Sequence, residues 1–360
     1  MLKKLSILLI LFTFLFVNSC AKKETKTATA IKVTAFTPVS IKVGMITDVA
    51  GLGDQSFNDS AYQGLKQAED QLGVGVQVLQ SNAMTDYEPN LANLADLGHK
   101  IIFSIGFLTT DAVKEVAPLY PDTYFCLVDG IVDAPNVVSC TFKEEEGSFL
   151  AGALAGMMTK TNKVGFLGGM NVPLIQKFET GYKAGVASVN PKATVLVKYT
   201  GDFEDVSKGK DSASIMFSQG ADIIYHASGK CGLGAIQAAK NLPPGNYIIG
   251  VDANQDALGV VKDKNGKIIK TVVLTSMVKN VGVAVFDMIK KFKSGEFKVG
   301  HYVYGLKEGG VSLTPMEFTR SKVPLEVIKK LDLIRQKIIS GEIQVPDSLE
   351  KLSSFKKPKL

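Results

Sequence analysis

The sequence contains no tryptophan, three histidines and four cysteines in 360 residues. Cys20, Cys126, Cys140 and Cys231 make no CxxC pair and no Cys/His cluster at metal-ligand spacing, which argues against a disulfide framework or a zinc site as the organiser of the fold. Cys126 sits in the apolar run Tyr124-Phe125-Cys126-Leu127-Val128, where a thiol behaves as a small hydrophobe, and buried structural thiols are the expectation for the last three cysteines. Positive charge is also scarce where it would matter. The net charge is +6, but Lys3 and Lys4, four lysines against one glutamate in residues 20–40, and four lysines in residues 351–360 carry more than that excess, leaving residues 41–350 at −3. A nucleic-acid partner is therefore not expected, since no basic folded surface exists to neutralise phosphates. No hydrophobic run is long enough to span a bilayer: the longest, Leu5 to Val17, has thirteen residues.

What is there begins with that run. Two lysines, a thirteen-residue apolar stretch and Val17-Asn18-Ser19-Cys20 have the layout of a signal peptide. The small residue just before Cys20 resembles the lipobox of bacterial lipoproteins, which implies cleavage after Ser19, lipidation of Cys20 and attachment to a bacterial cell membrane by acyl chains. Residues 20–40, rich in Lys, Thr and Ala without apolar periodicity, read as a flexible tether.

From Ile41 short apolar strands alternate with amphipathic helices. Strands are expected at Ile41–Ile46, Val74–Leu79, Ile101–Gly106, Thr123–Val128 and Val137–Thr141, with helices from about Ser60, near Tyr87–Leu97 and at Thr109–Leu119. The near-continuous apolarity of these strands predicts a parallel sheet covered on both faces. After the small-residue helix Gly147–Met158 the rhythm restarts: strands at Val164–Leu167, Val195–Tyr199, Asp222–Tyr225 and Tyr247–Val251 alternate with helices Ile175–Ser188, Val206–Gln219 and Leu233–Lys240. A strand Thr271–Ser276, a helix Asn280–Lys293, short strands around Tyr302–Leu306 and Val311–Leu313 and a helix Pro324–Ser340 complete the pattern. The fold class is α/β with two Rossmann-like lobes and parallel sheets. One lobe comprises residues 41–145 plus about 277–300, the other 146–276 plus about 301–345, followed by a basic tail at 346–360 that is expected to be a solvated end.

Ligands of open parallel sheets bind beyond the carboxyl ends of the strands. There the first lobe offers Asp48, the loop Asp54-Gln55-Ser56-Phe57-Asn58-Asp59, Gly106-Phe107 and Asp129. Asn58 or Asp59 could serve as a helix cap, whereas a Phe57 set in a polar loop must pack inward or face something flat. The second lobe offers Tyr225 followed by His226-Ala227-Ser228-Gly229-Lys230, then Asp252, and Lys279 on the way back to lobe one. A single aspartate at a strand end is explained more simply as a turn cap. Asp48, Asp129 and Asp252 together with aromatic rings and a balancing lysine suit a neutral ligand that carries a heterocycle and a sugar diol.

The segments Gly44-Met45-Ile46-Thr47-Asp48, Asp54-Gln55-Ser56-Phe57-Asn58, Gly152-Ala153-Leu154-Ala155-Gly156, Val164-Gly165-Phe166-Leu167-Gly168-Gly169-Met170, Phe178-Glu179-Thr180-Gly181-Tyr182-Lys183-Ala184-Gly185 and Ile249-Gly250-Val251-Asp252 together resemble the basic membrane lipoprotein family of purine nucleoside receptors. The resemblance spans about residues 41–315. It implies a type I periplasmic-binding-protein fold whose hinged lobes grip a nucleoside for an ABC importer, in a monomer needing no cofactor. By the same resemblance Asp48 matches the family's first-strand Asp and Ser56, Phe57 and Asn58 match its Ser-Phe-Asn element, in which Phe stacks on the base and Asn bonds to its edge; Asp129 matches an acid that contacts the base or ribose, Tyr225 supplies the second stacking ring, and Asp252 and Lys279 hold the ribose. Gly229 and Lys230 complete the expected set, and Phe178 is similar to a family aromatic near the cleft, at a spacing from Tyr182 that also suits core packing. His226 and Ser228 stand where the family has alanines.

Other readings stay open at this point. Type I lobes also hold monosaccharides, so a sugar-binding protein is one alternative. A nucleoside hydrolase is a second, against which stand the scattered acids, the absent Gly-x-Ser-x-Gly elbow and the incomplete phosphate loop around Gly229-Lys230. A surface interaction protein with a vestigial cleft is the third.

Overall fold

The structure is a computed structural model and describes residues 41–360. The expected signal peptide, the Cys20 anchor and the tether lie outside the described residues. Among the described residues no helix is long and apolar enough to cross a membrane.

The first half of the described chain runs β1 (Lys42–Ile46), α1 (Phe57–Leu72), β2 (Gly75–Leu79), α2 (Tyr87–Asp96), β3 (Ile101–Ile105), α3 (Thr110–Val116), β4 (Tyr124–Val128) and β5 (Val137–Phe142). It continues with α4 (Glu144–Met158), β6 (Lys163–Gly168), α5 (Pro173–Val189), β7 (Thr194–Tyr199), α6 (Val206–Ser218), β8 (Ile223–Ala227), α7 (Cys231–Lys240) and β9 (Tyr247–Asp252). A hairpin β10 (Val260–Lys262) and β11 (Ile268–Thr271) precedes β12 (Val273–Lys279), α8 (Val281–Ser294), β13 (Gly300–Tyr304) and β14 (Val311–Leu313). Two helices, α9 (Leu325–Ile339) and α10 (Leu349–Ser353), follow.

Two six-stranded sheets result, ordered β13-β5-β4-β3-β1-β2 and β14-β12-β9-β8-β6-β7. All pairings are parallel except β12 with β14. Strands such as Ile101–Ile105 and Ile223–Ala227 are buried along their whole length, the consequence of helices on both sheet faces. Cys126, Cys140 and Cys231 are buried and unbridged.

The chain crosses between the lobes three times: from β5 into α4, from β12 into α8, and from β13 to β14. Sheet membership differs here from the expected division, because β12 stays in the second sheet to Lys279 and β13 pairs with β5 in the first rather than joining the second lobe. The three crossings are bonded to one another. Lys143 N donates to Tyr304 O (3.0 Å), Asn280 N to Gly310 O (2.8 Å) and Leu306 N to the Glu146 carboxylate (2.8 Å).

The small residues of α4 have a packing cause. A Cβ on Gly152 would lie 2.1 Å from Tyr182 O, and one on Gly185 2.1 Å from Phe149 O, so α4 and α5 touch backbone to backbone. The C-terminal tail is anchored rather than frayed: Phe355 meets Phe149 edge to face at 6.2 Å.

Candidate functional site

Because all strands of β1, β3 and β4 on one side and β8, β9 and β12 on the other end toward the gap between the lobes, their following residues meet there. The cleft so formed is lined from lobe one by Asp48, Asp54, Phe57, Asn58, Phe107 and Asp129, and from lobe two by Phe178, Phe203, Ser228, Gly229, Asp252 and Lys279. Its empty volume is about 520 Å³.

The β1–α1 loop is shaped by its acids. Helix α1 starts at Phe57, with Ser56 as the cap residue, earlier than the expected start near Ser60. The orphan amides of the first turn are satisfied by Asp54, whose carboxylate accepts from Ser56 N (3.0 Å), Asn58 N (2.8 Å) and Asp59 N (3.1 Å). Asp59 is instead a loop clamp, accepting from Gly53 N (2.8 Å) and Gln55 N (2.9 Å). Phe57 and Asn58 are thereby fixed at the cleft. Asn58 Nδ2 donates to Asp48 Oδ1 (2.9 Å), and Asp48 also accepts from Ala50 N (3.0 Å). Burial pushes the Asp48 carboxyl up to about 6 against the opposing pull of Asn58, with Asp54 adding to the rise.

The hinge side of the cleft holds a buried ionic group. Lys279 Nζ lies 2.5 Å from Asp129 Oδ2 and 3.5 Å from Glu144 Oε1, and Lys177 Nζ reaches Glu144 Oε2 at 3.2 Å. Burial would lower the Lys279 pKa, but Asp129, Glu144 and Asp252 outweigh it and hold the ammonium above the ordinary lysine value. The same ammonium stands over the Phe57 ring at 4.7 Å and the Phe178 ring at 5.5 Å. Asp252 is pushed up to about 6 by burial, with Lys279 and Ser56 opposing the rise.

Asp129 and Asp252 both have positive φ, 67° and 62°, a costly conformation for a non-glycine residue. Several side-chain atoms on the cleft wall, Asn58 Oδ1, Asp129 Oδ1 and Ser228 Oγ, are buried without a hydrogen-bond partner among the described residues. Buried polar atoms of this kind are costly unless something pairs with them.

Of the residues picked from sequence, the cleft brings together Asp48, Phe57, Asn58, Asp129, Phe178, Gly229, Asp252 and Lys279. Ser56 does not line the cavity; its Oγ donates to Asp252 Oδ2 across the lobes at 2.7 Å. Lys230 does not line the cavity; it is the cap residue of α7, and its backbone N donates to Phe203 O (2.9 Å). Tyr225 requires a correction. It is fully buried in lobe two, its hydroxyl 3.0 Å from Ser148 Oγ and its ring among Phe166 and Tyr182, so it cannot stack on anything in the cleft. The reason is strand length: β8 runs on to Ala227, which moves the strand end from Tyr225 to Ala227 and brings Ser228 to the cleft.

Asp54, Phe107 and Phe203 are cleft residues that the sequence-derived set omits. Phe203 follows β7 in Gly201-Asp202-Phe203-Glu204-Asp205, a lone ring in a polar loop after a strand, the same signal that singles out Phe57. It meets Phe107 of the other lobe edge to face, centroids 6.3 Å apart.

Comparison with known proteins gives a consistent picture. Residues 41–349 match the family model described as ABC transporter substrate-binding protein PnrA-like. The chain is 41% identical over 317 residues to a CD4+ T-cell-stimulating antigen of Listeria monocytogenes, covering 85% of this chain and 88% of that protein. It is 39% identical over 318 residues to the ABC transporter nucleoside-binding protein BmpA of Lactococcus lactis, covering 85% and 89%. Among solved structures, an ABC transporter solute-binding protein from Aeropyrum pernix superposes with a TM-score of 0.76 at 28% identity, over 87% of this chain and 96% of that one.

Proposed function

The chain belongs to the PnrA-like family of ABC transporter substrate-binding proteins, and from that premise we propose that it captures a nucleoside, a purine nucleoside above all, between its two lobes. As a substrate-binding protein of an ABC transporter it is exported, takes up a small molecule and passes it to a permease, and its family is one of binders rather than enzymes. The finer reading rests chiefly on one observation: Asp129, Asp252 and Lys279 line the same cleft as the rings of Phe57, Phe107, Phe178 and Phe203. Carboxylates accept both hydroxyls of a cis-diol, rings cover the faces of a base, and Asn58 and Ser228 offer polar atoms to its edge.

In this reading Asp252 takes the ribose, with Lys279 holding the acid ionised in a dry site. Phe57 and a facing phenylalanine of lobe two, not Tyr225, cover the base. Contacts to both walls favour the closed arrangement by differential affinity, and the permease recognises that arrangement. Cys20 would carry the acyl anchor, and the protein would act as a monomer.

Asp252→Ala tests the assignment by calorimetry. Inosine binding is expected to weaken roughly 10- to 150-fold, the equivalent of about 1.5–3 kcal/mol for hydrogen bonds to a charged group, with hypoxanthine little affected. Equal losses for both ligands would refute the ribose role. Inosine recovered intact after incubation with the protein is expected, whereas release of base and ribose would favour the hydrolase.

A further inference from the structure

Beyond the cleft, a buried relay reaches from the core of lobe two to the backbone of lobe one. Gln255 follows β9 and is fully buried. Its Oε1 accepts from Val251 N at 3.1 Å and lies 2.9 Å from His226 Nε2, while its Nε2 donates to the backbone carbonyl of Gln55 at 3.0 Å. The orientation of the amide is unambiguous. A backbone N–H can only donate and a carbonyl can only accept, so oxygen faces Val251 and nitrogen faces Gln55. His226 Nε2 must then carry a proton, which leaves Nδ1 bare, and Nδ1 has no partner among the described residues. Burial lowers the His226 pKa to about 4, so the ring stays neutral in this role.

We propose that Gln255, oriented by His226, is an interlobe latch that stabilises the closed arrangement from outside the ligand cavity. Neither Gln255, His226 nor Gln55 lines the cleft. The receiving end is built as firmly as the donating end. Gln55 adopts a positive φ of 49°, and the N–H of Ser56, which shares a peptide plane with the Gln55 carbonyl, is tied to Asp54 Oδ1 at 3.0 Å, which fixes the direction of that carbonyl. On the lobe-two side Gln255 N donates to Ser276 Oγ (3.0 Å), which donates in turn to Asp256 Oδ1 (2.8 Å). The histidine has space made for it: a Cβ on Gly232 would come within 2.0 Å of its ring. A side chain already held on its own lobe by its backbone N–H and its acceptor oxygen lowers the entropy cost of closure, since it need not be ordered when the lobes meet.

The inference rests on the substrate-binding reading only for the consequence of closure, and its test does not require that the ligand be a nucleoside. Gln255→Glu keeps an oxygen for Val251 N and His226 but loses the donor to Gln55; Gln255→Met removes the polar end altogether. Small-angle scattering of each purified protein without added ligand is expected to show a larger radius of gyration for both variants than for the parent, with unchanged far-ultraviolet circular dichroism. Inosine affinity should fall roughly 2- to 13-fold, the scale of one net hydrogen bond. Nitrogen-15 spectra of the unmodified protein should report His226 as the neutral tautomer protonated at Nε2. A variant that folds with the parent's radius of gyration, or a His226 ring protonated at Nδ1 only, would overturn the latch. Failure of the parent to bind inosine would count against the nucleoside reading and leave the scattering comparison intact.

Discussion

At the residue scale, the cleft keeps acids in a dry place, and this has a pH consequence. Asp48 titrates near 6 in the folded chain against an ordinary value of 3.8. Its folded pKa is the higher one, so its contribution favours folding most below about 3.8 and is lost as the pH rises through about 6. Asp48→Asn keeps an oxygen for Ala50 N and Asn58 Nδ2 and carries no charge. The variant is therefore expected to be more stable than the parent at pH 7, by on the order of 3 kcal/mol, with the gap closing by pH 4. Denaturant unfolding at the two pH values measures it, and an equal gap at both would show that Asp48 is not held up by burial. Asp48, Asp129 and Asp252 were legible because a parallel sheet delivers every strand end to one edge. Tyr225 was not, since its place depended on two more residues of β8 that an apolar pattern ending in Tyr-His-Ala does not reveal.

At the element scale, periodicity recovers nearly every strand and helix within a few residues, because buried parallel strands and amphipathic helices differ in period. The elements it misses are short and bury little. The hairpin β10–β11 carries lysines at 262 and 270 and exposes Ile268 and Ile269, so it has no apolar face to betray it. α10 is five residues long. The start of α1 came earlier than expected because the cap is supplied from Asp54, two residues before Ser56, and not by Asn58 or Asp59. The α4–α5 pair makes the sharpest demand on sequence. Gly185→Ala puts a methyl 2.1 Å from the Phe149 carbonyl in a backbone-to-backbone contact that cannot yield locally. Destabilisation of about 1–3 kcal/mol is expected, measured by chemical unfolding. A variant as stable as the parent would mean that the two helices can part without cost.

At the scale of the whole molecule, three crossings join two lobes whose opposing faces carry complementary chemistry, and the buried Lys279–Asp129–Glu144 group sits where β12 and α4 meet those crossings. That placement ties the charge balance of the cleft to the hinge: Glu144 opens α4 directly after the first crossing, and Lys279 ends β12 directly before the second. The sequence pattern distinguishes the two lobes but not the lobe to which β13 returns, since a short half-exposed strand pairs equally well with either sheet edge. Phe203 was within reach of the same reading, a lone ring in a polar loop after a strand, although β7 is an edge strand of its sheet.

The central claim is that a base and a ribose are gripped together between the lobes. Isothermal titration of the purified protein with inosine, hypoxanthine and ribose separately tests it most directly. Micromolar or tighter binding of inosine is predicted, on the order of 8 kcal/mol or more, with each half alone far weaker. A monosaccharide bound at that strength while inosine gives no heat would contradict it.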